Sequence, residues 1–100
     1  MERRQELNQK LRELCSNVYF QPPATITMRY PCIVYHLDAI DEIRADNKIY
    51  RQKDRYQLTY ITKNPDDVLI RQIPFELPMC SFERFFVADN LNHYTYRLYF

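Results

Sequence analysis

Two cysteine–histidine pairs and one group of carboxylates carry the atoms from which this chain could build chemistry. Cys32 and His36 have a Cys-x3-His spacing that on a helix could share a metal ion. The run that contains them, Cys32-Ile33-Val34-Tyr35-His36-Leu37, reads as a buried strand. On a strand four residues span about 13 Å, too far for one ion, so both are expected in the core. Cys80 and His93 could face each other across a hairpin, but no further ligands stand near at zinc-like spacing. A cysteine nucleophile with a histidine base would need a lowered thiol pKa, and no recognised signature surrounds any of the three cysteines. Asp38, Asp41, Glu42 and Asp46 could hold a divalent cation. Their segment lacks the sharp-turn glycine and the ligand series of a calcium loop, so it reads as a solvated acidic loop or one that meets a basic neighbour. Glycine is absent from all 100 residues, which excludes the Gly-rich loops that cradle phosphates. Tyr94-Thr95-Tyr96-Arg97 alternates aromatics toward a basic residue, as a single-strand stacking platform would. Strand tyrosines also pack cores and subunit interfaces, and a formal charge of +1 favours that role. The chain is therefore expected to have no catalytic, cofactor-binding or metal site.

The elements that position these residues follow from periodicity. Leu7, Leu11 and Leu14 lie on one stripe of a helix over 2–15, with Arg3, Arg4, Glu6, Lys10, Arg12 and Glu13 facing out. A short strand over 18–20 stops at Pro22-Pro23. Strands over 32–37 and 54–62 pair as an antiparallel hairpin with a long polar loop, Asp38–Asn47, in which Ile40 and Ile43 could form a helical turn. Tyr56, Leu58 and Tyr60 share a face. Asn64 and Pro65 can cap and open a helix over 65–73, which Pro74 should end or kink. A closing hairpin covers 79–100. On its second arm Tyr94, Tyr96, Leu98 and Phe100 alternate with His93, Thr95, Arg97 and Tyr99, and the chain finishes within that strand. Between the arms, Asp89, Asn90 and Asn92 tolerate left-handed backbone. The expected class is α+β in one domain, 1–100. It has an antiparallel or mixed sheet of four to five strands, with the N-terminal helix and a short second helix packed on one face.

Composition adds limits. Fourteen Lys and Arg against thirteen Asp and Glu leave no global basic field for nucleic acid or membrane. There is no apolar run near a membrane span and no signal-peptide pattern at Met1. An odd count of scattered cysteines points to a reducing compartment.

In order along the chain, Asn17-Val18-Tyr19-Phe20-Gln21-Pro22-Pro23, Tyr30 to Tyr35, Ala45-Asp46-Asn47 with Tyr50, Pro65-Asp66, Leu77 to Cys80, and Ala88 to His93 through Leu98-Tyr99-Phe100 form a series of short motifs. With these the chain resembles the small tail-completion, or tail-terminator, proteins of tailed bacteriophages. Pro74 departs from that pattern, where the short helix should continue. The resemblance implies a structural virion protein, not an enzyme, that forms a homo-oligomeric ring, hexameric in such families, at the head–tail junction. It implies the tail tube protein and a head-connector or stopper protein as partners, DNA only as passing cargo in the lumen, no membrane, and assembly in the host cytoplasm. A neighbouring connector or stopper ring is the alternative position; a small nucleic-acid-binding module using Arg55, Arg97 and the tyrosines, or a metal-dependent enzyme using the Asp38–Asp46 carboxylates, are alternative classes. A ring needs one patch to fit a different patch on the next copy. Asp38, Asp41, Glu42, Asp46 and Asn47, with Asp89, Asn90, His93 and Arg97 on the other polar projection, are the expected interface residues.

Overall fold

A computed structural model of the protein describes residues 3–77 and 79–100. Seven elements follow in chain order: α1 Arg3–Leu14, β1 Val18–Phe20, β2 Cys32–Ala45, β3 Lys48–Thr62, α2 Leu69–Glu76, β4 Cys80–Ala88 and β5 Leu91–Tyr99. The fold is α+β. Its five strands form one mixed sheet in the order β1-β2-β3-β5-β4; β1 runs parallel to β2 and every other pair is antiparallel.

One face of the sheet carries the main core. Ile33 and Tyr35 on β2, Tyr56, Leu58 and Tyr60 on β3, and Tyr96, Leu98 and Phe100 at the chain's end pack against Leu7 and Leu11 of α1 and Ile73 of α2. The alternation of the strands fixes this, because cross-strand partners share a face: Leu58 stands opposite Tyr35 on one side and Tyr96 on the other. The narrow leucine stripe of α1 is wide enough because polar residues beside it also bind. Asn8 Oδ1 accepts from the Tyr35 hydroxyl at 2.8 Å. Arg3 and Arg4, expected to face outward, reach back instead. The Arg3 guanidinium donates to the Phe100 main-chain oxygen at 3.1 and 3.3 Å and lies over the Phe100 ring, while Arg4 covers the Phe20 ring. A smaller cluster of Cys32, Ile61 and Leu91, with Tyr19, Met28 and Val34 against it, occupies the opposite face.

The segment expected as an acidic loop over 38–47 is strand as far as Ala45. β2 continues to Ala45 and β3 starts at Lys48, so the expected strands 32–37 and 54–62 are only the proximal halves of a long hairpin. Ile40 and Ile43 lie in that strand, not in a helical turn. The connection is two residues, Asp46 and Asn47, with φ of 53° and 63°. The β4–β5 connection repeats it with Asp89 and Asn90 at 53° and 61°. Positive φ at both central residues is the type I′ geometry that matches strand twist. With no glycine in the chain, the Asp-Asn pair supplies it both times.

The second helix is also displaced from its expected span of 65–73. Asn64 Oδ1 accepts from the Asp66 N–H, and Asp67 Oδ1 accepts from the Leu69 N–H at 3.0 Å, so side chains close the turn that leads into the helix, whose N-cap position Val68 makes no side-chain bond. Tertiary contact fixes this turn, since the Tyr60 hydroxyl donates to Asp67 Oδ2 at 2.5 Å. Pro74 lies inside the helix and does not end it. Its missing N–H leaves the Ile70 carbonyl without the usual helical donor. The Tyr96 hydroxyl from β5 donates to that carbonyl at 2.5 Å. A buried side chain on the sheet thus makes the hydrogen bond that proline cannot.

Candidate functional site

The structure divides the expected interface residues among three places. Asp41, Glu42, Asp46 and Asn47 lie on a projecting arm. β5 pairs with β3 only from Arg55 onward, so residues 39–54 form a two-stranded ribbon beyond the sheet. Asp38 marks its base, in a register shift between Leu37 and Ala39, where it accepts from Arg55 Nε at 2.9 Å. Ile40, Ile43 and Ile49 on the arm are each about half exposed. An isolated two-stranded ribbon is marginal in water, and three uncovered isoleucines make this one a surface that gains from a partner.

Asp89 and Asn90 form the other hairpin tip. Thr62 at the end of β3 pairs beside this turn, so it lies at the opposite end of the sheet from the arm. His93 and Arg97 point to the sheet face away from the helices. There His93 stacks on Phe86 at 4.7 Å, Arg84 lies over the same ring, and Arg97 meets Glu83 at 3.4 Å. Glu83 is the extra residue of a bulge in β4. Thr95 fills that bulge, donating to the Arg84 carbonyl and accepting from the Arg84 N–H.

This geometry separates the other candidate constellations. Tyr96 is fully buried under α2 while Arg97 faces the other side, so Tyr94–Arg97 makes no single stacking platform. Arg55, invoked with them, is tied to Asp38. Cys80 pairs in register with Leu98 and His93 with Phe86, so these two do not face each other; Cys80 is on the helix side and His93 on the opposite one. Cys32 and His36 share a face of β2 four residues apart. Burial pushes the Cys32 thiol up to about 12 and the Cys80 thiol up to about 11, the wrong direction for a nucleophile. Among the described residues, no group of three or more His, Cys, Asp or Glu is placed to hold a metal ion, and no helix is long and apolar enough to cross a membrane.

The surface that periodicity missed is a shelf between α2 and β4. Phe82 and Phe85 lie edge-on and tilted against Tyr96 and Tyr94, on the helix side of the sheet, yet each remains half exposed. Val87 shares their side at 60% exposure, and Phe75 of α2 overhangs them at 88%. A cavity of about 410 Å³ opens here, lined by Ile70, Arg71, Pro74, Phe75, Phe82 and Tyr94. The available signal was the aromatic density of β4 next to an apolar residue directly after Pro74. Nothing in the sequence says that α2 is too short to cover both.

Compared with protein-family models and with curated proteins, the chain matches none.

Proposed function

We propose that this protein is a structural subunit of a homo-oligomeric ring at the head–tail junction of a tailed bacteriophage, closing the tail tube and joining it to the head connector. The observation that carries the reading is the pair of unlike, uncovered apolar surfaces, the arm over 39–54 and the α2–β4 shelf. A subunit that meets copies of itself through two different patches makes heterologous contacts, and these form a ring when the rotation between copies closes. The motif resemblance supplies the virion context. The tube protein and the connector or stopper ring are the partners this role requires, with DNA passing through the lumen. The test is to interrupt the coding sequence in the phage and image the lysate by electron microscopy. Separate heads and tails, or tubes of uncontrolled length, are expected, and restored virions on supplying the protein in trans. Normal virions without the protein would overturn the role.

A further inference from the structure

Resting on the ring reading, we propose that the arm of one copy adds as a strand to the β4 edge of the next, covering Ile40 on the shelf side of the sheet and Ile43 on the opposite face. Four observations converge on a second copy as the occupant. The outer edge of β2 is covered by β1 only at Ile33, Val34 and Tyr35, which leaves its arm portion, 38–45, without a strand neighbour among the described residues. β4, residues 80–88, has a similarly free edge on the far side of the same sheet. Free edges carry a row of backbone donors and acceptors that another strand satisfies, and these two are matched in length.

Direction also fits. β2, β3, β5 and β4 alternate antiparallel across the sheet, so a second copy in the same orientation, shifted along the strands by the length of the arm, brings its 38–45 antiparallel to β4. Each edge exposes large apolar side chains among its polar ones, Ile40 and Ile43 on the arm and Phe82, Phe85 and Val87 on β4. One charge match lies on the face away from the helices, where Asp41 of the arm and Arg84 of β4 share a side and neither is in an ion pair among the described residues. Such charges set register and partner choice more than affinity.

The test uses two full-length variants. One carries Ile40→Asp and Ile43→Asp on the arm; the other carries Phe85→Glu and Val87→Glu on the shelf. All four positions are at least half exposed, and circular dichroism checks that each variant keeps the wild-type spectrum. Light scattering after size exclusion should give a closed oligomer for wild type and the 12.3 kDa monomer for either variant alone. Mixed in equal amounts, the variants have one intact arm and one intact shelf between them. They should form a dimer of twice the monomer mass that goes no further. If wild type assembles and either variant alone still assembles, the arm-to-β4 contact is wrong while the ring stands; an arm variant that dimerises by itself would indicate shelf-to-shelf pairing. If wild type stays monomeric at every concentration, both the contact and the ring reading fail.

Discussion

Replacing Tyr96 with Phe tests the link between the sheet and the proline-containing helix. The substitution keeps the ring, which is fully buried, and removes only the hydroxyl that donates to the Ile70 carbonyl. With Pro74 four residues on, that carbonyl has no helical N–H to fall back on. Leaving a partly buried acceptor without its donor costs about 1–3 kcal/mol. Pro74→Ala should act in the opposite sense. It restores an N–H within reach of the same carbonyl and relieves a helix-interior proline worth up to about 3 kcal/mol, part of which is offset by a looser unfolded chain. The two changes are therefore coupled. In the Pro74→Ala background, Tyr96→Phe should lose at least about 1 kcal/mol less than in wild type, because the alanine N–H takes over the carbonyl. Urea unfolding of the four proteins, followed by far-UV circular dichroism, gives the double-mutant cycle. A Tyr96→Phe loss equal in both backgrounds to within about 0.3 kcal/mol would refute the reasoning, since the hydroxyl would then not be substituting for the missing donor.

Leu58→Ala and Leu98→Ala, at nearly fully buried positions of the main core, should each lower stability by about 2–5 kcal/mol in urea melts; losses below 0.5 kcal/mol on the same roughly drawn scale would contradict their placement. At the β4–β5 turn, Asn90→Ala keeps a β-carbon at φ 61° but removes the short polar side chain that bonds locally and makes this conformation tolerable, and should cost about 1 kcal/mol, while Asn90→Gly should stay near wild type. The matching change at Asn47 acts on an arm that β5 does not brace, so its effect should appear as faster amide exchange over 39–54 more than as a shift in global unfolding. Raising pH should weaken the fold. The Cys32 thiol ordinarily ionises near 9 but is pushed up to about 12 by burial, so between those values the unfolded chain has lost a proton that the native chain keeps. Stability from this group is complete below pH 9 and falls as pH rises toward 12, and the drop in urea midpoint between pH 8 and 10 should be smaller in Cys32→Ala.

How far the sequence reaches is visible element by element. Alternation alone put Tyr56, Leu58 and Tyr60 on one face of their strand and Tyr96, Leu98 and Phe100 on one face of theirs, because a residue's side of a strand depends only on its parity, and both sets lie on the helix-covered face. The leucine stripe of α1 and the pairing of β2 with β3 were legible for the same local reason. The arm was not. Register shifts after Leu37 and after Ile43 break its parity, and a ribbon with neither face buried has no polar–apolar contrast to display. Its one clear signal was the repeated Ala-Asp-Asn at 45–47 and 88–90, a pair of left-handed residues that a chain without glycine uses to close both hairpins.

Other features belong to the tertiary structure alone. That β5 lies between β3 and β4, leaving β4 as a free aromatic edge, is a choice of strand order on which local pattern is silent. α2 starts at Leu69 and not at 65, after a turn in which a tyrosine on β3 holds the Asp67 carboxylate. Pro74, which by itself should end the helix, stays inside it because Tyr96, distant in sequence, supplies the missing hydrogen bond. In each case the local sequence sets what a segment needs, and a residue brought in by the fold decides how that need is met.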